Sequence, residues 1–107
     1  MKSYKILIAC VSGMSTSILV HQMRKVAAKY DYKIEITYAA QLDIEEEARG
    51  KDIVLLGPQL RTAKNRFTKL LADTNTPVVA VPIQYFADMD GEKVLQFAIN
   101  SIEQSSL

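Results

Sequence analysis

Three nearly unbroken apolar runs, YKILIA (4–9), IVLLG (53–57) and PVVAVP (77–82), are separated along this chain by segments with helical spacing. Runs this short and this apolar suit strands covered on both faces, the condition inside a parallel sheet. KIEITY (33–38) differs. It places Ile34, Ile36 and Tyr38 on one face and Lys33, Glu35 and Thr37 on the other, as expected of a half-exposed edge strand.

Between these strands, Leu19, Met23, Val26, Ala27 and Tyr30 recur at helical spacing, with His21, Arg24, Lys25 and Lys29 on the opposite, solvent side. Asp43 and Glu46 have the spacing of a capping box, and Gly50 that of a helix stop. Leu60, Ala63, Phe67, Leu70 and Leu71 form a third stripe. Val94, Leu95, Ala98, Ile99 and Ile102 form a fourth, entered at Asp90–Gly91. The alternation predicts one three-layer α/β domain over residues 1–107, a parallel four-stranded sheet with helices on both faces. With the second strand at an edge, the strand order is 2-1-3-4. Such a chain reverses direction beside its first strand, and ligands bind there, outside the carboxyl ends of the strands. The segment that falls at this place is CVSGMSTS (10–17).

Composition removes several classes of function. A net charge of +1 supplies no field for nucleic acid or a membrane surface. No apolar run approaches the ~18 residues of a bilayer span, and the apolar part of MKSYKILIAC is too short for a signal peptide. One cysteine and one histidine, without a CxxC pair, leave no structural zinc, metal or redox cofactor to be expected. The chain reads as a cytoplasmic protein.

Ser12, Gly13, Ser15, Thr16 and Ser17 form a loop leading into a helix, which offers hydroxyls and backbone N–H groups to an anion. Gly13 permits the positive φ that turns successive amides inward, and the positive end of the helix dipole favours anionic species beside Cys10. A sulfur nucleophile next to a phosphate-sized cradle can accept a phosphoryl group. An inert core cysteine followed by ordinary caps and turns is the alternative. The cysteine phosphatase loop, C-x5-R, carries an arginine that clamps the transferring group. Here that position is Thr16, and residues 10–20 contain no Arg or Lys. The pattern therefore favours handing a phosphoryl group on over hydrolysing it.

In three places the sequence resembles the stand-alone IIB components of the lactose/cellobiose/chitobiose type of the phosphoenolpyruvate-dependent sugar phosphotransferase system. They are ILIACVSGMSTSILV (6–20), LLGPQL (55–60) and MDGEKVL (89–95). The stretch before Met89 matches only loosely. The resemblance implies a fold similar to that of low-molecular-weight cysteine phosphatases and a phosphocysteine at Cys10. A IIA phosphohistidine would supply the phosphoryl group, and a sugar held by the membrane-embedded IIC partner would take it. The backbone of Val11, Ser12, Gly13, Met14, Ser15, Thr16 and Ser17 would cradle the phosphate, in a loop exposed to both partners; nothing in the sequence suggests an obligate dimer, so a monomer is expected.

Rival readings are a cysteine phosphatase-like hydrolase and a receiver-like regulatory module, although no acidic cluster follows LIAC or LLGPQ. Gln59 can line the site or cap a helix. Arg61, with Lys64, Arg66 and Lys69, is either a solvated face or a docking surface for acidic partners. Asp90 stands at the possible periphery of the site, with an N-cap as the plainer role, and His21 reads as a solvated helix residue.

Overall fold

The computed structural model describes residues 2–11 and 13–105; the side chains of residues 13–15 fall outside that description. Four parallel strands, β1 (Ser3–Cys10), β2 (Lys33–Ala40), β3 (Ile53–Leu56) and β4 (Val78–Ala80), form one sheet in the order β2-β1-β3-β4. The order, the parallel pairing and the edge position of β2 are those the sequence predicts. Cys10 ends β1 opposite Ala40 of β2, and Ala9 lies opposite Leu56 of β3.

Alternation along β1 divides the core. Tyr4, Ile6 and Ile8 face one layer, where they meet Leu19, Val20 and Met23 of α1 (Gly13–Ala27) and Val94, Leu95, Ala98 and Ile99 of α5 (Gly91–Ser105). Leu7 and Ala9 face the other, against Ile44 of α2 (Ile44–Glu47), Phe67 of α3 (Lys64–Leu70), and Leu60 and Leu71 beside it. Ile6, Leu7 and Ile8 are wholly buried, each stabilising the fold by about 1.5–3 kcal/mol relative to exposure.

Several local expectations are corrected. The glycine- and hydroxyl-rich segment is not a long loop: α1 begins at Gly13, so Gly13 to Ser17 belong to the helix itself. Ser and Thr suit a helix N-terminus, and burial of Leu19, Val20 and Met23 offsets their weak helix propensity. Asp43 precedes α2 without any side-chain capping bond, so there is no capping box and the helix lasts four residues. Gly50 does adopt the left-handed backbone, φ 82°, expected of a stop.

The third stripe is a 3-10 turn, Pro58–Ala63, running into α3. The tighter 3-10 winding changes the phase of the repeat, so Leu60, Phe67 and Leu71 are buried while Leu70 is 41% exposed. The loosely matching stretch before Met89 contains a further helix, α4 (Ile83–Ala87), whose Phe86 enters the core. On β2, Tyr38 is exposed rather than packed beside Ile36. Arg24 is not simply solvated. Its Nε and Nη2 donate to the carbonyl of Ile36 at 3.1 and 2.6 Å. Lys33 turns its N–H towards β1, so by alternation the Ile36 carbonyl points to the open edge, which Arg24 covers.

Candidate functional site: the carboxyl end of β1

The site starts from the position of β1. Its two neighbours are reached by connections that leave in opposite directions, which opens the sheet above Cys10. Cys10 lies on the α1 side of the sheet and is 3% exposed. Val11, the next residue, is 54% exposed, so the chain passes from core to surface within one residue.

Thr16, fully buried in α1, donates its hydroxyl hydrogen to Cys10 Sγ. Strand end and helix start are thereby tied together at the residue where a phosphatase loop would carry arginine. The first turn of α1 contains no acidic side chain, and the first N–H groups of a helix have no partners within it. Hydroxyl, amides and helix dipole together suit a bound or transferring anion beside the sulfur. Gly13, Met14 and Ser15 contribute backbone to that turn, while Ser12 lies outside the described residues. Ser17 is half-buried, and the outward-facing Ile18 is 56% exposed.

The loop after β3 forms the other wall. Gly57 N–H donates to the Ala9 carbonyl at 2.9 Å, drawing this loop against the last residues of β1. A Cβ built on Gly57 would lie 3.5 Å from Cys10 Cβ and 3.4 Å from Gln59 Oε1. Gln59 therefore stands at the mouth of the cysteine site. It does not cap the turn in which it lies, because its amide bonds no backbone group among the described residues. Gln59 itself is exposed and makes no side-chain hydrogen bond among the described residues.

Other singled-out residues have different surroundings. Asp90 Oδ1 accepts a bond from Lys93 N–H at 3.1 Å, the capping role that its position suggests. Asp88 accepts from Gln84 Nε2 at 2.9 Å. His21 is exposed on α1. Arg61, Lys64, Arg66 and Lys69 are largely exposed and form no ion pair among the described residues. Arg66 stacks over Phe67, 5.0 Å from the ring centre. Among the described residues no three His, Cys, Asp or Glu side chains converge on a metal-sized space. No helix there is long and apolar enough to cross a membrane.

Sequence reasoning missed Gly57 and Gly91. The glycine in LLGPQ was a signal for the first, because a loop that closes on a neighbouring strand has little room for a side chain. Gly91 was read only as a helix start. A Cβ there would lie 2.8 Å from the backbone of both Gln22 and Met23, so the residue lets α5 cross α1 in direct contact.

Comparison with known proteins agrees with this fold. Residues 5–97 match the family model of the lactose/cellobiose-specific IIB subunit of the phosphotransferase system. The oligo-β-mannoside-specific EIIB component of Bacillus subtilis is 35% identical over 90% of this chain and 93% of its own length. The galactose-specific EIIB component of Lactococcus lactis subsp. cremoris is 36% identical over 89% and 93%. Among solved structures, the cellobiose-specific IIB component of Borrelia burgdorferi superposes with a TM-score of 0.78 at 35% identity, covering 96% of this chain and 94% of that one. The lactose-specific IIB domain of Streptococcus pneumoniae shares the fold, with a TM-score of 0.81 at 18% identity over 92% and 97%. With its family model, its relatives and its fold in agreement, the chain belongs to the lactose/cellobiose-specific IIB subunits of the sugar phosphotransferase system.

Proposed function

We propose that Cys10 is the phosphoryl carrier of this IIB subunit. A phosphohistidine on the IIA protein donates the group: its N–P bond breaks, an S–P bond forms at Cys10, and the thiol proton ends on the released imidazole. A hydroxyl of the sugar held by IIC then takes the phosphoryl group. The S–P bond breaks, an O–P bond forms, and the hydroxyl proton returns to sulfur. The amides of residues 11–17 cradle the phosphate, and the subunit works as a cytoplasmic monomer. Relatives of this chain are specific for oligo-β-mannosides, galactose and cellobiose, which supports a sugar of the cellobiose, chitobiose or lactose class.

The observation that carries this reading is the Thr16 hydroxyl donating to Cys10 Sγ at the start of α1. A neutral donor there stabilises charge on sulfur and phosphate without the fixed cation of a hydrolase. The test is intact mass after incubation with phosphoenolpyruvate and the upstream phosphoryl relay. One added phosphoryl group on the wild type, absent from Cys10→Ser, is the expected result. A wild type that stays unmodified overturns the proposal.

A further inference from the structure

Resting on that reading, we infer that Gln59 is a second wall of the phosphoryl site, meeting the transferring group from the β3 side through its side-chain amide. Gln59 Oε1 and Cys10 Cβ lie within van der Waals reach of one point, the place that a Cβ on Gly57 would take. Gly57 leaves this space clear, and its N–H bond to the Ala9 carbonyl fixes the distance between the loop and β1. A half-turn of the terminal amide exchanges its oxygen and nitrogen, so the donor end can take the position that Oε1 occupies. With no competing side-chain hydrogen bond among the described residues, the amide is available to a phosphoryl oxygen.

The chemistry explains why an amide suits this position. Thr16 binds on the α1 side and Gln59 on the opposite wall, and both are neutral donors. Residues in a 3-10 turn are each rotated by a third of a revolution, which directs Arg61 away from the side that Gln59 faces. A phosphoryl group held this way is oriented by hydrogen bonds while it keeps its own charge, ready for the next acceptor. Transfer at Cys10 follows the same balance as above: Gln59 forms and breaks no covalent bond and gives up no proton.

The experiment compares wild type, Gln59→Leu and Gln59→Glu as acceptors from phosphorylated IIA, with rates read by rapid-quench intact mass. Gln59→Leu keeps the size and loses the donor; Gln59→Glu places a negative charge beside the dianion. The first should slow the maximal transfer rate about tenfold and the second further, with the half-saturating IIA concentration unchanged. In the wild type, the Gln59 side-chain amide signals, assigned by their loss in Gln59→Leu, should move when Cys10 is phosphorylated. Variants that match the wild-type rate, or that change only half-saturation, overturn the inference, as do amide signals that stay in place. A wild type that takes up no phosphate overturns the carrier reading itself, so the two failures are distinct.

Discussion

Thr16 Oγ1, wholly enclosed in α1, donates to the sulfur of Cys10 at the end of β1. Hydrogen bonds to a charged partner contribute about 1.5–3 kcal/mol, against about 1 kcal/mol for neutral pairs. If that difference of about 0.5–2 kcal/mol acts on the phosphoryl-transfer step, Thr16→Val should slow phosphorylation of Cys10 by about 2- to 30-fold. Valine matches threonine in shape, so the thermal transition should stay within a few degrees. Thr16→Ser keeps the hydroxyl and should retain most of the rate. Wild-type kinetics in Thr16→Val would show that the bond only locks the strand to the helix.

Cys10 and Thr16 were each legible as site residues because one short motif contains the strand end, the turn and the helix start, although the bond between them was not. The sheet was legible for a similar reason: runs such as IVLL are buried on both faces and need no partner to be recognised. Features built from two distant elements were not. Arg24 falls on the polar side of α1, and helical periodicity contains no information about the Ile36 carbonyl that it reaches. Helix α4 is too short to show a repeat, and Leu70 fits a uniform stripe that the 3-10 turn at Pro58–Ala63 breaks. At the site, Cys10 and Thr16 were visible as chemistry. Gln59 was legible only as one of two alternatives, lining the site or capping a helix, because its approach to Cys10 depends on the β1–β3 register, which no local pattern encodes.

Thr37 presents a different case, a buried hydroxyl oxygen with no hydrogen-bond partner among the described residues. It lies on β2 opposite Leu7, on the side of the sheet that holds Ala39 and Ile44. An unsatisfied buried hydroxyl costs about 1–3 kcal/mol, and an apolar replacement of the same shape removes that cost. Thr37→Val should therefore raise stability by about 1 kcal/mol in urea titration, without changing phosphoryl transfer. A loss of stability would mean that the hydroxyl has a partner in solution, such as a bound water.

Alkaline pH should weaken the fold through the cluster at the opposite end of the sheet. Burial, reinforced by the Glu103 carboxylate, pushes the Tyr4 hydroxyl above its ordinary value of 10.0. A hydrogen bond to Glu103 and its charge raise exposed Lys2 above 10.5. Both groups hold their protons more tightly when folded, so their contribution is complete below the unfolded values. It disappears as pH rises through the folded ones. Stability should begin to fall near pH 10, and Tyr4→Phe should flatten that fall, because phenylalanine has nothing to ionise. Urea midpoints measured from about pH 8 to 11 in both proteins test this; parallel curves would exclude Tyr4 as a source.

Gly91 and Gly50 should both resist replacement by alanine, for unrelated reasons. At Gly91 the added Cβ would lie 2.8 Å from the α1 backbone at Gln22 and Met23, so the two helices must part. Overpacking of this kind costs about 1–3 kcal/mol and loosens the core along the seam. At Gly50 the space is open, yet φ is 82°, and a side chain in that conformation costs about 1–2 kcal/mol. Similar losses in the denaturation midpoint should therefore come with different exchange patterns. Gly91→Ala should speed amide hydrogen exchange in α1 and α5, where the displaced helices lose protection. Gly50→Ala should leave those helices protected relative to its own global stability, since its strain stays in the turn before β3. Equal protection of α1 in both variants would count against direct contact of the two helix backbones.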